Sequence, residues 1–233
     1  MNKSNNASAN LTENLPGLPE LYSILFDQYG AQNWWPADTP FEVIIGAILT
    51  QNTNWKNVER ALSNLREAYL LNPEGLFEAT TEKIAGLIRP SGYFNQKARK
   101  IKAFMEYFHN KYNSSINRMS QTTLEALRGE LLELYGIGKE TADSILLYAV
   151  DKSAFVIDTY TKRILSRIGY IEESLSYASL KQWIENRIPR DIIIYKEFHA
   201  LFVRHGKICC RPRPDCRECP VNRMCRFYLS GGF

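Results

Sequence analysis

Long apolar runs are missing from this sequence of 233 residues. No segment approaches the roughly 20 consecutive apolar residues that a membrane-spanning helix requires, so we expect no membrane contact. The first residues, MNKSNNASANLTEN, also lack the apolar core of a signal peptide. We therefore predict that residues 1–14 form a disordered polar tail and that the protein is intracellular, in the cytoplasm or nucleoid.

Strict alternation of polar and apolar residues, which marks β-strands, is absent, and so is the fixed-period repetition that marks a solenoid. Apolar residues instead recur three and four positions apart, which is the spacing of an amphipathic helix. This spacing predicts helices at roughly 18–29, 56–67, 72–78, 81–88, 95–111, 161–168, 175–187 and 192–205. The sequence therefore predicts an all-α fold, and its 45 % apolar content allows a sizeable core without disulfides.

The formal net charge of +4 does not by itself indicate a nucleic-acid partner. The distribution is more informative, because residues 89–105 contain basic side chains and no acid, and residues 204–226 contain seven Lys or Arg against Asp215 and Glu218. A single basic run could be a solvated helix face. Two such runs on either side of a phosphate-binding turn favour DNA binding.

That turn is Tyr135-Gly136-Ile137-Gly138, which separates two helical patterns in the stretch LYGIGKETADSILLYAVDKSAFVID. Gly136 and Gly138 can both take a positive φ and leave their backbone N–H groups open to an approaching oxygen. A helix that begins near Lys139 points its positive dipole end at the same place. The two features together predict a phosphate site.

Asp158 is a single acid that follows the apolar run Phe155-Val156-Ile157, twenty residues after Gly138. A carboxylate in apolar surroundings is costly unless it has polar partners or a function. Asp is also a favoured N-cap residue, so Asp158 could simply cap the helix that follows. The sequence alone leaves both roles open.

All five cysteines lie in the last quarter of the chain. Four of them, Cys209, Cys216, Cys219 and Cys225, have six, two and five residues between them. Four thiolates at this spacing indicate zinc or an iron–sulfur cluster, and disulfides are not expected without an export signal. Cys210 is left over, as a buried thiol or an alternative ligand.

The segment LYGIGKETA followed by VIDTYTKRILSRIG resembles the helix-hairpin-helix and Gly/Pro-Asp signature of the endonuclease III superfamily of DNA glycosylases. The resemblance extends from about Gln32 to Cys225. It implies a central helical domain at 36–148 and a second domain formed by 15–35 plus 149–233, with DNA and a flipped base in the cleft between them. The implied partner is double-stranded DNA containing a damaged base, and we expect a monomer.

The resemblance also implies a role for individual residues. Asp158 would be catalytic, stabilising positive charge on the sugar and orienting or deprotonating the attacking water. Gln51 would fill the space left by the extruded nucleotide, unless its segment is an ordinary turn, and Tyr93 would wedge into the opposite strand. The implied DNA-binding residues are Gln51, Tyr93, Gly136, Gly138 and Lys139. The cysteine spacing is similar to the loop that holds a [4Fe–4S] cluster in this superfamily.

In members that also cut the strand, a lysine follows the second hairpin glycine by two positions. Glu140 occupies that position here. Glu cannot form a Schiff base with the sugar, so the sequence predicts a monofunctional glycosylase that leaves an abasic site.

The aromatic residues suggest which base is removed. The run Trp34-Trp35-Pro36, together with Trp55, resembles the 3-methyladenine glycosylase branch, although these rings could also be core residues. N-alkylated purines are cationic, so aromatic faces attract them, and Glu140 could add a favourable charge. Adenine-mismatch members place a Glu where this chain has Ala47. The alternatives are a glycosylase with lyase activity on oxidised pyrimidines, a uracil or mismatched-thymine glycosylase, and a DNA-binding iron–sulfur protein without enzymatic activity.

Overall fold

The computed structural model describes residues 15–232 of the chain, so the predicted tail at 1–14 lies outside the described residues. Within the described range every regular element is a helix, which confirms the predicted all-α fold. The described chain divides into two compact units. The first unit contains the described residues up to Trp34 and those from Phe155 onward, and the second unit is Trp35–Ala154.

The second unit is built around one helix that is buried on nearly all sides. This helix, α2, is Pro40–Leu49, and its residues from Phe41 onward are buried. The helices that follow in this unit are α3 (Trp55–Glu67), α4 (Pro73–Glu78), α5 (Thr81–Leu87), α6 (Phe94–Tyr112), α7 (Ile116–Ser120), α8 (Leu124–Glu133) and α9 (Lys139–Ser144). A π-helical turn, Ile145–Ala149, continues α9 and contacts α2.

The first unit contains the chain's other helices. These are α1 (Leu18–Tyr29), α10 (Thr159–Ile168), α11 (Tyr177–Glu185), α12 (Ile192–Ile208) and α13 (Arg226–Leu229). Helix α12 packs against α10, and it also packs against α1. The buried residues of α10 recur at helical spacing, as Thr161, Ile164, Leu165 and Ile168. One face of α10 therefore enters the core of this unit.

The boundary between the units lies at Ala154, whereas the resemblance implied a boundary at residue 148. Hydrogen bonds explain why residues 149–154 belong to the second unit. The backbone N–H of Lys152 donates to Leu146 O at 2.8 Å, and Lys152 Nζ donates to Ser120 O at 2.9 Å. These bonds hold the segment after the π turn against helices of its own unit.

Among the described residues, no helix is both long enough and apolar enough to cross a membrane.

Candidate DNA glycosylase site

The predicted hairpin is formed by α8, a five-residue turn and α9. Gly136 has φ +75°, and a Cβ on it would lie 2.4 Å from Cε of Lys100. Its backbone conformation therefore favours glycine, and any larger residue would also displace the Lys100 side chain. Gly138, by contrast, has φ −90° and open space where a Cβ would lie, so only Gly136 of the two hairpin glycines uses the positive φ that both could adopt.

Gly138 is the N-cap of α9 and offers no side chain to cap the helix. The N-terminal turn of a helix leaves backbone N–H groups without intrahelical acceptors, and a phosphate can accept hydrogen bonds from them. Lys139 and Glu140 are exposed in this first turn. The local geometry is therefore compatible with the predicted phosphate site.

Gln51 lies in the short segment between α2 and α3, here named the Gln51 loop (residues 50–54). Its side-chain amide is bonded to the hairpin: Nε2 donates to Thr141 Oγ1 at 2.9 Å and to Gly136 O at 3.1 Å. Lys100 Nζ donates to Gln51 Oε1. The amide therefore has partners for both its nitrogen and its oxygen, and the structure places it beside the hairpin turn.

Tyr93 lies just before α6 in the Tyr93 loop (residues 91–93). It is 66 % exposed, which is unusual for a large aromatic side chain. Its backbone is left-handed, with φ 46°, and follows Gly92 with φ 67°. The loop therefore holds an exposed ring in a strained conformation, as a ring that contacts bases requires.

Lys97, which the sequence analysis treated only as one charge in a basic run, is a buried residue of α6. It is 2 % exposed. Its Nζ donates to Leu49 O at 2.8 Å and to Ser91 O at 2.6 Å, the carbonyls at the start of the Gln51 loop and in the Tyr93 loop. Burial, and to a smaller extent the charge of Lys100, lowers the pKa of Lys97 to about 8.

This lowered pKa predicts a pH dependence of stability. The pKa of Lys97 is about 8 in the folded protein and 10.5 in the unfolded chain, so the unfolded chain binds more protons between these values. The contribution of Lys97 to the free energy of unfolding therefore rises as the pH increases from 8 to 10.5, by up to about 3 kcal/mol. Urea unfolding of wild type and Lys97→Met at pH 7.5 and 10.5 gives the difference in their free energies of unfolding at each pH. Other groups titrate equally in both proteins, so a change in this difference reports Lys97. A stability difference that does not change with pH would contradict the prediction.

Asp158 caps the N-terminus of α10. Its Oδ1 accepts a hydrogen bond from the backbone N–H of Thr161 at 2.7 Å. Its Oδ2 lies 3.5 Å from Nε2 of His199 on α12. The capping role that the sequence left open is therefore present, and it engages only one of the two carboxylate oxygens.

Two opposing effects set the ionisation of Asp158. Burial raises its pKa, but hydrogen bonds and charge from His199 and the hydrogen bonds from Thr161 outweigh that effect and hold the pKa below its ordinary value. The carboxylate is therefore ionised at neutral pH, as stabilisation of a positive sugar requires. His199 is 4 % exposed and was missed by the sequence analysis, because nothing in a single sequence pairs α12 with the N-terminus of α10.

Two of the predicted aromatic residues meet in the second unit. The rings of Trp35 and Trp55 are edge to face, with centroids 5.4 Å apart. A Cβ on Gly46 would lie 3.4 Å from Trp35 Nε1 and 3.6 Å from Trp55, so this glycine lets both rings approach α2. Both rings are half-buried and therefore are not simple core residues.

These rings line a pocket of about 430 Å³. Its other lining residues are Pro36, Ala37, Asp38, Glu42, Glu59, Leu62 and Arg66. Trp55 Nε1 donates to Glu59 Oε1 at 2.8 Å, and Arg66 lies 2.7 Å from Glu42 and 3.5 Å from Asp38. Two carboxylates thus pair with the Arg66 guanidinium and the third bonds Trp55, so the pocket combines aromatic faces with three carboxylates and a single guanidinium.

Trp34 and Glu140, the other predicted substrate residues, do not line this pocket. Trp34 belongs to the first unit, where Lys207 Nζ lies 5.3 Å from its ring centroid. Glu140 is exposed in the first turn of α9. The structure therefore brings together Trp35, Pro36 and Trp55 but not the full predicted set.

The five cysteines line one cavity after the end of α12, together with His205. Ligand atoms of His205, Cys209 and Cys219 all lie within 4.8 Å of one another, and His205 Nδ1 is 2.8 Å from the hydroxyl of Tyr29. Hydrogen bonding with Cys209, followed by burial, raises the pKa of Cys219 to about 12. Thiolate and imidazole donors gathered this closely are the ligand types of zinc and iron–sulfur centres, so the donor set fits a metal centre.

Two arginines of α10 bind the backbone of the cysteine segment. Arg163 donates to Cys210 O at 2.9 Å and to Gly206 O at 3.1 Å. Arg167 donates to Arg211 O at 2.6 Å and to Pro212 O at 3.0 Å. The helix that Asp158 caps is therefore bonded directly to the cysteine segment.

Comparison with known proteins identifies the family. Residues 45–190 match the model of the HhH-GPD superfamily of base excision DNA repair proteins. The chain is 48 % identical over 208 residues to the protein MJ1434 of Methanocaldococcus jannaschii, whose assignment as a DNA repair glycosylase is provisional. That similarity covers 88 % of this chain and 94 % of the relative.

Solved structures give the same fold. An endonuclease III in a non-covalent DNA complex matches with a TM-score of 0.80 at 22 % identity, covering 92 % of this chain and 96 % of that one. The H. pylori 3-methyladenine DNA glycosylase MagIII, bound to 1,N6-ethenoadenine, matches with a TM-score of 0.62 at 29 % identity, covering 86 % and 93 %. The chain therefore belongs to the HhH-GPD superfamily of base excision repair proteins, and it is a DNA glycosylase with an endonuclease III-like fold that acts on N-glycosyl bonds.

Proposed function

We propose that this glycosylase is monofunctional and releases cationic N-alkylated purines, of the 3-methyladenine and 7-methylguanine type, from double-stranded DNA. The observation that carries the proposal is the pocket of about 430 Å³ lined by Trp35, Trp55 and three carboxylates. Its volume falls within the range of about 300–1,000 Å³ typical of small-molecule sites. A 3-methyladenine DNA glycosylase is among the solved structures that share this fold.

The pocket chemistry suits a positively charged base. An aromatic face attracts a cation by roughly 0.5–2 kcal/mol per well-placed contact. Glu42 and Glu59 add negative charge beside Trp35 and Trp55, where a neutral base would gain nothing from it. An N-alkylated purine also leaves without prior protonation, so its release requires no strong general acid.

Asp158 is the proposed catalytic residue. Cleavage of the glycosidic bond passes through a positively charged, oxocarbenium-like sugar. An ionised carboxylate stabilises this charge and orients or deprotonates the attacking water. The low pKa of Asp158, maintained by His199 and Thr161, supports this role.

Gln51, Tyr93 and the hairpin are proposed to contact the DNA. Stacking of an aromatic ring on a base contributes about 1–3 kcal/mol, which is comparable with the few kcal/mol needed to extrude a nucleotide. The exposure of Tyr93 supports the wedge role, and the amide of Gln51 can exchange its bonds with the hairpin for bonds to an unpaired base. Gly136, Gly138 and Lys139 are proposed to bind a phosphate.

We also propose a [4Fe–4S] cluster held by Cys209, Cys216, Cys219 and Cys225. The cavity that the cysteines share supports a metal centre. When bound, the cluster would act as a structural crosslink that orders the segment carrying the exposed residues Arg211 and Arg213. Those guanidinium groups would then be placed to meet DNA phosphates.

Duplexes that carry a single lesion test the substrate class. We expect base release from a 7-methylguanine duplex at least tenfold faster than from a uracil or a thymine-glycol duplex, since only the alkylated base is cationic. Release from the thymine-glycol or uracil duplex at an equal or greater rate would contradict the proposal.

Borohydride trapping tests whether the enzyme is monofunctional. Because Glu140 occupies the position of the lyase lysine, we expect no covalent DNA complex after reduction, even where base release is complete. A trapped complex would show that Lys139, Lys207 or another amine forms the Schiff base. Alkaline cleavage of an aliquot taken before the borohydride is added controls for the presence of abasic sites, because reduction makes these sites stable to alkali.

A further inference from the structure

We propose that Lys97 is a positioning residue that holds the Gln51 loop and the Tyr93 loop at a set separation and thereby governs extrusion of the target nucleotide. The inference rests on the proposed function, in which these two loops fill and wedge the duplex. Lys97 contacts both loops through a single atom, Nζ, which donates to Leu49 O and Ser91 O. All of these groups lie within Trp35–Ala154.

The burial of Lys97 is difficult to explain by packing alone. Lysine is almost never fully buried without polar partners, because removal of an ammonium group from water is costly. Lys97 is 2 % exposed, in a helix whose other buried positions include Ile101, Phe104 and Met105. An apolar side chain would fill the same space without that cost, so the ammonium group itself has a role.

The two acceptors indicate that role. Leu49 is the last residue of α2, where backbone carbonyls lack intrahelical donors, and the Gln51 loop begins at the next residue. Ser91 is the last residue of a 3₁₀ turn, two residues before Tyr93. One ammonium group therefore fastens the starting point of each loop to the same position on α6.

Both loops also contain a strained residue that this attachment helps to maintain. Asn52 has φ 54° and Tyr93 has φ 46°, a region that residues other than glycine seldom occupy. Such conformations persist only where the surrounding structure determines them. Without the bonds from Lys97, the backbone at the starts of the Gln51 loop and the Tyr93 loop would lose its common attachment to α6 while the helices remained packed.

Lys97→Met, which replaces the ammonium by an apolar group of similar length, tests the inference. The matched control is Lys102→Met, because Lys102 lies on the same helix and also donates to a backbone carbonyl, that of Phe77, outside both loops. Extrusion is followed by the fluorescence of 2-aminopurine at the target position. Binding to a duplex with a stable abasic analogue, which has no base to extrude, is measured in parallel.

We expect Lys97→Met to reduce the 2-aminopurine signal by about tenfold or more, while affinity for the abasic-analogue duplex stays within about threefold of wild type. Lys102→Met should change neither the 2-aminopurine signal nor the affinity for the abasic-analogue duplex by more than about twofold. Equal extrusion by the two variants, or equal loss of both readouts in Lys97→Met, would overturn the inference.

Lys97→Arg decides the question if Lys97→Met melts below the assay temperature. Arginine retains a buried cation with several N–H donors, so we expect it to restore extrusion relative to the methionine variant. An Arg variant that melts like wild type but extrudes the base no better than Lys97→Met would overturn the inference, because it retains the buried cation and its N–H donors. Absence of extrusion by the wild type would instead contradict the proposed function.

Discussion

Asp158→Asn is expected to lower the rate of base release by about 10²–10⁴-fold and to leave DNA binding within a few-fold of wild type. The substitution removes the negative charge that, in the proposed mechanism, would stabilise the developing positive sugar. It should not unfold α10, because Asn caps helices about as well as Asp and its side-chain oxygen can still accept from Thr161 N. Single-turnover release and equilibrium binding on the same lesion duplex measure the two quantities.

Asp191→Asn is the matched control for this prediction. Asp191 caps α12 through bonds from Ile193 N and Ile194 N at 2.7 and 3.0 Å, so the chemical change and the capping role are the same, but Asp191 is exposed. We expect this variant to release the base at the wild-type rate. If Asp158→Asn retained activity within about threefold, Asp158 would be only a helix cap. Equal losses in both variants would point to stability instead of catalysis.

Cys219→Ser is expected to lose the iron and the visible absorbance of the cluster and to weaken binding to undamaged DNA on the order of tenfold. The reason is that Arg211 and Arg213 lie in the segment that the proposed cluster would order. The salt dependence of binding should become shallower, because fewer phosphates are neutralised. Metal analysis, absorbance and salt-dependent binding test the prediction independently of enzymatic activity.

Cys210→Ser is the control, because Cys210 lies in the same cavity and is not among the four proposed ligands. It should retain iron, sulfide and DNA affinity. Loss of the iron from Cys210→Ser, together with its retention in Cys209→Ser, would show that Cys210 replaces Cys209 as a ligand. Zinc without sulfide in the wild-type protein would contradict the cluster itself, as would unchanged affinity in a folded variant that lacks the cluster.

The helices could be predicted from the sequence because their apolar residues recur at helical spacing. The buried positions of α10, for example, follow the predicted period. Helix α2 carries apolar residues on every side, so no periodicity marks its core face, and the structure is required to place it at the centre of its unit. The glycines illustrate the same limit, since the sequence cannot show that Gly136 needs a positive φ and Gly138 does not.

Side-chain partners distant in sequence could not be predicted. His199 and Asp158 are separated by two whole helices in the chain, α10 and α11, and only the packing of the fold brings them to 3.5 Å. Lys97 was read as part of a basic run, because a single sequence does not reveal that a lysine is buried. Trp34 and Trp35 are neighbours in sequence but belong to different units, so adjacency alone did not define the aromatic set.

The identity of the base that the wild-type enzyme frees from methylated duplex DNA tests the central claim most directly. Mass spectrometry of the released bases should detect 3-methyladenine or 7-methylguanine, and their release should disappear in Asp158→Asn. If methylated DNA yields no free base while uracil or an oxidised pyrimidine is released from other duplexes, the proposed substrate class is wrong.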